Sequence, residues 1–219
     1  MSATLKTNEI FLSIQGEGTR AGLPCTLVRL AGCNLRCRWC DTQYAWDQGE
    51  PMTMDDILAR VTALGCRRVE LTGGEPLTQA AAPELLRRLC DAGYETLLET
   101  NGSIDISPVD ARVVRVMDVK CPSSGQSQSN RWENMPLLTA KDEVKFVIAD
   151  RADYDYAADA IARHGLAERC TVIFSPLSFV SPWGMKPAAL AAWILADGLD
   201  ARLGLQLHKI IWPGIERGV

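Results

Sequence analysis

Short apolar segments alternate with amphipathic segments along most of this chain, and this alternation limits the possible folds more than any other feature. Apolar runs that end at turn residues predict strands, which lie at 9–14, 25–31, 68–72, 95–99, 113–119, 143–149, 170–174 and 203–208. Apolar residues at helical spacing predict helices, which lie at 57–64, 83–92, 152–164 and 187–196. Strands that alternate with helices form parallel sheets, so the pattern predicts an α/β fold.

The length of the chain limits how far such a sheet can close. A complete eight-fold β/α barrel takes ~250 residues, whereas this chain has 219. Two of the connections, over 100–113 and 121–140, lack a clear helical pattern. We therefore expect an α/β fold of the partial (open) β/α barrel type with reduced crossover helices, in a single domain that spans residues 1–219.

The segment Cys33-Asn-Leu-Arg-Cys37-Arg-Trp-Cys40 places three cysteines within eight residues, with no fourth cysteine close by. A closed zinc site takes four ligands, and an iron–sulfur cubane normally takes four thiolates, one for each iron. A set of three thiolates would leave one iron open to a substrate or cofactor. The alternatives at this point are an ordinary cluster of cysteines and a zinc site that a distant residue completes.

Loops of unusual composition follow five of the predicted strands. Active sites of parallel α/β sheets form at the carboxyl ends of the strands, so these loops should meet at one rim. They are the cysteine segment, Gly73-Gly74-Glu75-Pro76, Thr100-Asn101-Gly102, Lys120-Cys121-Pro122 and Ser175-Pro176. Gly73-Gly74 either lets the backbone approach a ligand or forms a plain tight turn.

The composition excludes several classes of function. A formal net charge of −4 argues against broad binding to nucleic acid or to an anionic membrane. No run approaches the ~20 apolar residues that a membrane-spanning helix needs, and residues 1–9 lack a signal pattern. We therefore expect a cytoplasmic protein whose eight cysteines are reduced. The cysteines outside the cluster are expected to be small buried residues, at positions 25, 66, 90, 121 and 170.

Several segments of the chain resemble one known family. They are Phe11-Leu-Ser-Ile-Gln15-Gly-Glu-Gly18, Cys33 to Thr42 with Trp39 before the third cysteine, and Gln206-Leu-His-Lys209. These segments resemble those of the 7-carboxy-7-deazaguanine synthase family, which consists of radical S-adenosylmethionine (SAM) enzymes. The resemblance implies a 4Fe–4S cluster, SAM and Mg²⁺ as cofactors. It also implies conversion of 6-carboxy-5,6,7,8-tetrahydropterin into 7-carboxy-7-deazaguanine with loss of ammonia, in queuosine and 7-deazapurine biosynthesis.

The resemblance assigns roles to individual residues. The catalytic cluster ligands would be Cys33, Cys37 and Cys40. The SAM contacts would be Trp39, Cys40, Asp41, Gly74, Lys120, Cys121, Pro122, Ser175, Pro176, Leu177 and Ser178. The substrate contacts would be Ile14, Gln15, Gly16, Arg29, Thr72, Glu99 and His208, with Asn101 a further candidate at the rim.

Three of these assignments have a chemical reason or an alternative. The planar and always charged guanidinium of Arg29 suits the carboxylate of the substrate. Thr42 would ligate Mg²⁺ through its hydroxyl, and the alternative is a loop residue that hydrogen-bonds to its own backbone. The alternative for His208 is a purely structural role.

The resemblance also implies partners, and rival functions stay open. The family implies a reducing electron donor such as flavodoxin or ferredoxin, and a homodimer. A glycyl-radical activating enzyme would share the cysteine motif, but residues 15–18 and Thr42 argue against it. A non-enzymatic iron–sulfur or zinc regulatory module would need a fourth ligand, and the acidic charge and the five convergent loops disfavour it.

Overall fold

Nine strands form one mixed sheet in the computed structural model, which describes residues 3–177 and 184–219. The strands are β1 (Thr4–Ile14), β2 (Pro24–Leu30), β3 (Glu50–Thr53), β4 (Arg68–Gly73), β5 (Glu95–Thr100), β6 (Val114–Val119), β7 (Glu143–Ile148), β8 (Thr171–Pro176) and β9 (Arg202–Leu203). The helices in these ranges are α1 (Met54–Leu64), α2 (Ala82–Asp91), α3 (Arg151–His164), α4 (Pro187–Asp197) and α5 (Leu207–Ile211). None of them combines the length and the apolar character that crossing a membrane requires.

The predicted parallel pairing is confirmed for most of the sheet. The strand order is β3-β1-β2-β4-β5-β6-β7-β8-β9, and every neighbouring pair from β2 to β9 is parallel. β1 and β3 add antiparallel strands at one edge. The sequence pattern missed β3 and the first half of β1. Only Leu5 and Thr7 are buried between residues 4 and 8, so this part of β1 has no apolar run.

Two of the crossovers contain no α-helix, which confirms the prediction of an open barrel with reduced crossover helices. No α-helix lies between β5 and β6, and only 3₁₀ turns lie between β6 and β7, at Pro122–Ser124, Ser127–Ser129 and Trp132–Leu137. The fully buried Asn134 holds this region together. Its Nδ2 donates to the carbonyls of Gly102 and Ile104 at 3.0 and 2.8 Å. One side chain thus pairs backbone groups that a helix would otherwise pair.

The prediction of a strand over 203–208 is wrong for most of its length. β9 contains only Arg202–Leu203, and residues from Leu207 onward form α5. Gly204 passes directly against β8, where an added Cβ would lie 2.7 Å from Ile173 Cγ2. The chain then turns towards the loop after β1, because Leu207 N donates to Gly16 O at 3.0 Å. The alternating leucines that predicted a strand therefore belong to a turn and a short helix.

The two faces of the parallel strands differ in polarity. On the outer face, buried apolar residues such as Leu71 and Phe146 belong to the main core beneath the helices. On the inner face, alternate positions carry charged residues, namely Glu70 in β4, Glu99 in β5, Asp118 in β6 and Lys145 in β7. Strands buried on both faces normally read as continuous hydrophobic runs. The charged positions therefore mark the inner face as the side where a polar ligand can bind.

The cysteines outside the cluster agree only partly with the prediction of burial. Cys25, Cys121 and Cys170 are buried, whereas Cys66 and Cys90 are partly exposed. The two exceptions lie near the carboxyl ends of α1 and α2. All eight cysteines are free thiols, as expected.

Candidate active site

Three of the other four predicted rim loops meet at the cysteine segment. Asn101 Nδ2 donates to Asn34 Oδ1 at 3.1 Å and lies 4.0 Å from Cys33 Sγ. Arg38 N donates to Ser124 O at 3.1 Å, which ties the loop after β6 to the cysteine segment. The fifth loop, after β8, leaves the described ranges. The convergence predicted from the strand order is therefore confirmed for the loops after β2, β4, β5 and β6.

Glu75 is the hydrogen-bonding centre that joins these loops. Its side chain is fully buried, and its two carboxylate oxygens accept from Leu77 N at 3.0 Å and from Asn101 N at 2.6 Å. The Thr100 hydroxyl lies 2.9 and 3.0 Å from the same oxygens. Burial raises the pKa of this carboxyl, and its hydrogen-bond donors act in the opposite direction. Glu75 N also donates to Gly32 O at 2.7 Å, so the loop after β4 is fixed to the base of the cysteine segment.

Close packing within the protein requires both glycines of the Gly73-Gly74 pair. Gly73 has φ +142°, and an added Cβ there would lie 2.1 Å from Leu30 O. A Cβ on Gly74 would lie 2.2 Å from Gly32 O and 2.8 Å from Cys33 Cβ. The pair is therefore more than a plain tight turn, since it lets β4 approach the cysteine segment. Contact between Gly74 and SAM stays a prediction.

The three thiols fit an iron–sulfur cluster in number, accessibility and hydrogen-bond partners. Cys33, Cys37 and Cys40 are free and partly exposed at the rim. A backbone N–H group points at one of the sulfurs, since Leu35 N donates to Cys33 Sγ at 3.4 Å. Such donors stabilise the negative charge of cluster thiolates and help to set the potential of a cluster.

The thiols are spread out rather than gathered around one point. In residues 3–177 and 184–219, no three side chains of His, Cys, Asp or Glu are close enough to hold a single metal ion. A cubane does not require this, because each thiolate binds a different iron. Burial raises the pKa of Cys37 to about 11 and also raises that of Cys40. Iron binding must therefore displace protons from these thiols, as metal binding by cysteine generally does.

Lys120 and Trp39, two of the predicted SAM contacts, lie together beside the cysteines. The Nζ atom of Lys120 is 5.6 Å from the centroid of the Trp39 ring and 3.0 Å from Asp118 Oδ2. Trp39 Nε1 donates to Ser123 Oγ at 3.3 Å. Ser123 N donates in turn to Asp153 Oδ1 of α3 at 2.9 Å. Polar contacts thus hold both side chains in place at the edge of the cysteine segment.

Other predicted SAM contacts are largely buried, which limits how they can act. The buried positions are Cys121, Ser175, Pro176 and Leu177. The thiol of Cys121 belongs to the hydrophobic core, so only the backbone at this position can meet a ligand. Pro122 is exposed at the start of a 3₁₀ turn, and Ser178 lies outside the described residues. Their roles stay predictions.

Asp41 and Thr42 form a pair of oxygen donors directly after the third cysteine. The Thr42 hydroxyl donates to Asp41 Oδ1 at 3.0 Å, and Lys209 Nζ lies 2.5 Å from Asp41 Oδ2. Thr42 therefore bonds to a neighbouring side chain and not to its own backbone. Hydroxyl and carboxylate oxygens are ligands that Mg²⁺ prefers. The donor set fits the cation, and the role of Thr42 stays a prediction.

Arg29 uses only its Nε atom to hydrogen-bond to another residue of the described ranges. Its Nε donates to Glu9 Oε1 at 2.8 Å, and the Tyr44 hydroxyl donates to the same oxygen at 3.1 Å. The guanidinium carbon lies 6.0 Å from the centroid of the Phe11 ring and 5.9 Å from that of Tyr44. Within the described residues, no hydrogen bond engages its two terminal nitrogens. These nitrogens are open to a carboxylate ligand.

A cluster of charged side chains lines the interior below the rim. Lys145 Nζ lies 2.7 Å from Glu17 Oε2, 2.6 Å from Glu99 Oε1 and 3.6 Å from Asp118 Oδ2. Glu99 Oε2 accepts from the Thr72 hydroxyl at 3.2 Å, so two predicted substrate contacts lie side by side. A narrow cleft with room for about one water molecule lies beside them, lined by Gln15, Glu17, Gly18, Arg20, Glu70, Leu97, Glu99, Val116 and Glu143.

The predicted substrate residues Gly16 and His208 meet at one side of this interior. A Cβ added to Gly16 would lie 2.3 Å from His208 Nδ1. Gln206 Nε2 donates to Glu17 Oε1 at 2.8 Å, which fixes the carboxyl-terminal segment against the loop after β1. Burial lowers the pKa of His208, so its imidazole is neutral at pH 7. The neutral ring can both donate and accept a hydrogen bond.

Gln15 faces a carboxyl group that favours its protonated form. Gln15 Nε2 donates to Glu70 Oε2 at 2.8 Å, and Ile14 precedes it at the end of β1. Burial raises the pKa of Glu70 to about 8, and the charge of Glu99 acts in the same direction. A carboxyl group with such a pKa carries a proton at pH 7.

Arg20 closes the amino end of the inner face. Its Nε lies 3.0 Å from Glu95 Oε1 and its Nη1 lies 2.9 Å from Glu143 Oε1. These two carboxylates belong to the first residues of β5 and β7. Arg68, the first residue of β4, adds a third contact at 2.7 Å to Glu95 Oε2. The loop after β1 therefore spans the end of the sheet opposite to the rim.

Five residues of this site were not predicted from the sequence. They are Glu17, Glu70, Glu75, Asp118 and Lys145. A signal for all five is present in the chain: Glu70, Asp118 and Lys145 interrupt otherwise apolar parallel strands, and Glu17 and Glu75 lie inside the quoted segments Gln15 to Gly18 and Gly73 to Pro76. Polar residues within strands that are buried on both faces are therefore candidates for a binding site.

Comparison with known proteins gives a consistent result along the whole chain. The Radical SAM superfamily matches residues 27–174. The 7-carboxy-7-deazaguanine synthase of Koribacter versatilis is 45% identical over 98% of this chain and 100% of its own length. That of Chlorobaculum tepidum is 46% identical over 99% and 98%. The crystal structure of QueE from Escherichia coli shares the fold, with a TM-score of 0.75 at 21% identity over 93% of this chain and 94% of that one.

These matches decide between the alternatives that the cysteine spacing left open. Radical SAM enzymes use a 4Fe–4S cluster and SAM, so these are the cofactors of this chain. A zinc site or a chance cluster of cysteines is excluded by identity over nearly the full length. The chain belongs to the 7-carboxy-7-deazaguanine synthase family of the radical SAM superfamily.

Proposed function

We propose that this chain converts 6-carboxy-5,6,7,8-tetrahydropterin into 7-carboxy-7-deazaguanine with loss of ammonia, in the biosynthesis of queuosine and other 7-deazapurines. The observation that carries the proposal is the position of three free thiols at the rim of an interior lined by ion-paired carboxylates. The relatives named for this product match the chain over nearly its full length. We assign the activity to one domain formed by residues 1–219.

The rim would hold the cofactors. Cys33, Cys37 and Cys40 would each bind one iron, which leaves the fourth iron for SAM. When bound, the reduced cluster and SAM supply a carbon-centred radical that removes a hydrogen atom from the substrate. Trp39 and Lys120 are held beside the cysteines and would line the SAM site.

The interior would hold the pterin. The open terminal nitrogens of Arg29 suit its carboxylate, because a guanidinium binds a carboxylate with two parallel hydrogen bonds. Thr72, Glu99 and the neutral His208 would orient the ring, together with Gln15. These residues fix the substrate and exclude water, and precise placement matters because hydrogen abstraction needs near-contact geometry.

The proposal includes further components that follow from the family. Mg²⁺ would bind at Thr42 and bring its charge against the oxygens of the substrate. A flavodoxin or ferredoxin would supply the electron. We further propose that the protein acts in the cytoplasm as a homodimer, without nucleic acid or membrane partners.

One anaerobic experiment tests the proposal. The protein is reconstituted with iron and sulfide, mixed with SAM, dithionite and the carboxylated pterin, and the products are followed by mass spectrometry. We expect 7-carboxy-7-deazaguanine and ammonia. The Cys37→Ala variant should lose the visible absorbance of the cluster and the product, because it lacks one of three protein ligands. The matched control Cys66→Ala, with a cysteine far from the rim, should keep both.

Two outcomes would contradict the proposal. A glycyl-radical activating enzyme would cleave SAM and leave the pterin unchanged. A regulatory module would bind metal without cleaving SAM. A fully active, brown Cys37→Ala protein would overturn the assignment of the cluster ligands.

A further inference from the structure

Lys145 lies at the centre of the charged interior and is almost completely buried. Its side chain is 4% exposed, and its ammonium group meets Glu17 and Glu99 at 2.7 and 2.6 Å and Asp118 at 3.6 Å. A lysine ammonium has three hydrogens, so it can serve three carboxylates at once. The partners come from three separate parts of the chain, namely the loop after β1, β5 and β6. One cation therefore fixes the relative positions of three elements.

The exposure of these groups shows which of them a ligand can reach. The side chain of Glu99 is 30% exposed and that of Glu17 is 18% exposed, whereas Lys145 lies behind them. The carboxylates form the accessible surface, and the ammonium supports them from the protein side. A substrate would meet negatively charged acceptors in this place and would not touch the lysine.

Stability alone does not account for this arrangement. Burying an ion cluster brings little or no net stability compared with apolar side chains of similar size. The same inner face carries apolar residues at neighbouring positions, Leu97 in β5 and Val116 in β6. An apolar residue at position 145 would therefore suit the fold. The cluster is better explained by the need for ionised carboxylates at a buried site.

The contrast between Glu17 and Glu70 shows what the lysine contributes. Burial raises the pKa of both groups. In Glu17 the contact with Lys145 outweighs burial and brings the pKa to about 2. Among residues 3–177 and 184–219, no cationic side chain pairs directly with Glu70, and its pKa rises to about 8. Without Lys145, the carboxyl group of Glu17 would become protonated in the same way.

We propose that Lys145 is a positioning residue, which holds the carboxylates of Glu17 and Glu99 in place as acceptors for the N–H groups of the pterin ring. The inference rests on the proposed function, because it needs a ligand with several N–H donors. A carboxylate accepts such donors through charge-assisted hydrogen bonds, which are stronger than those to a neutral acid. Lys145 acts through the two carboxylates and touches neither substrate nor cofactor.

The test compares Lys145→Met and Lys145→Arg with the wild type. Methionine keeps the length and packing of the side chain and removes the charge. We expect the KM for the pterin to rise about 10- to 100-fold, the range that loss of charge-assisted hydrogen bonds produces. The Kd for SAM should stay within about twofold, which is a far smaller change in binding free energy than the loss of those hydrogen bonds would cause. Lys141→Met is the matched control, because Lys141 is partly exposed and bonds only to backbone carbonyls.

The pH dependence of the KM is a readout that a merely structural role would not change. In the wild type, Glu17 stays ionised from pH 6 to 9. In Lys145→Met its pKa rises, so the KM should increase further as the pH falls through this range. Lys145→Arg keeps a cation and should restore a pH profile parallel to the wild type. The groups that face Glu17 and Glu99 and remain in every variant are Glu70 of β4, Asp118 of β6 and His208 of α5.

A double-mutant cycle separates action through Glu17 from any other action. If Lys145 works through this carboxylate, Lys145→Met should add little to the effect of Glu17→Gln on the KM. Additive effects, or a KM in Lys145→Met that matches the wild type at every pH, would refute the inference. If Lys145→Met fails to fold, Lys145→Gln, which also removes the charge, takes its place in the pH series and in the cycle with the same expected outcomes. Failure of the wild type to form product would refute the proposed function instead.

Discussion

Replacing Glu75 by glutamine should destabilise the protein although the two side chains have nearly the same shape. The two carboxylate oxygens of Glu75 each accept a backbone N–H, one from Leu77 and one from Asn101. A carboxamide has a single oxygen, so one of these buried N–H groups would face an NH₂ group. A buried donor without a partner costs ~1–3 kcal/mol, and a hydrogen bond to a charged group is worth ~1.5–3 kcal/mol. We therefore expect a loss of ~2–3 kcal/mol.

The assay is thermal unfolding of the cluster-free protein under reducing conditions. For a chain of this size, 1 kcal/mol corresponds to ~2–4 °C in Tm, so the expected decrease is ~4–12 °C. Glu84→Gln is the matched control, because Glu84 is an exposed residue of α2 that pairs with Arg87. It should change the Tm by less than about 2 °C, as exposed ion pairs contribute little. A Glu75→Gln protein as stable as this control would refute the role of Glu75 as the centre of the rim.

Three further predictions follow from the geometry of the site. Arg29→Lys should raise the KM for the pterin and leave the Kd for SAM nearly unchanged, since lysine lacks the planar fork; equal losses in both would indicate a structural role. Thr42→Ala should weaken the response of turnover to added Mg²⁺, and titration curves identical to those of the wild type would place the metal elsewhere. Glu70→Gln should be more stable than the wild type towards pH 8. The pKa of Glu70 is about 8 in the folded protein and lower in the unfolded chain, so the wild type loses stability as the pH rises between these two values. Equal urea midpoints for the two proteins from pH 5 to 8 would contradict this.

Much of the rim could be predicted because its signals are local in the chain. The cysteine spacing, the glycine pair before Glu75 and the strand ends are each contained in a few neighbouring residues, and strand order brings them together. The inner face could not be predicted in the same way. Lys145 and Glu17 are 128 residues apart. No sequence motif at either position predicts that the two side chains form an ion pair. Their pairing follows from register in the sheet, which periodicity alone does not give.

The error over residues 203–208 has a similar origin. Alternating leucines favour a strand, and Gly204 was not expected to pack against β8. The end of β9 is set by a contact with the loop after β1, nearly two hundred residues earlier in the chain. The edge strand β3 was missed because it is short, exposed and contains Pro51.

The contacts of α5 with the start of the chain also affect the order in which the protein can assemble. Gln206 reaches Glu17 across 189 positions, and Lys209 reaches Asp41 across 168. Contacts of such long sequence separation form late, because the chain must first close a long loop. During synthesis the amino-terminal part emerges first. The cysteine segment and its neighbouring loops can therefore form before α5 has been synthesised, whereas the side of the interior next to Glu17 closes only after α5 has joined it.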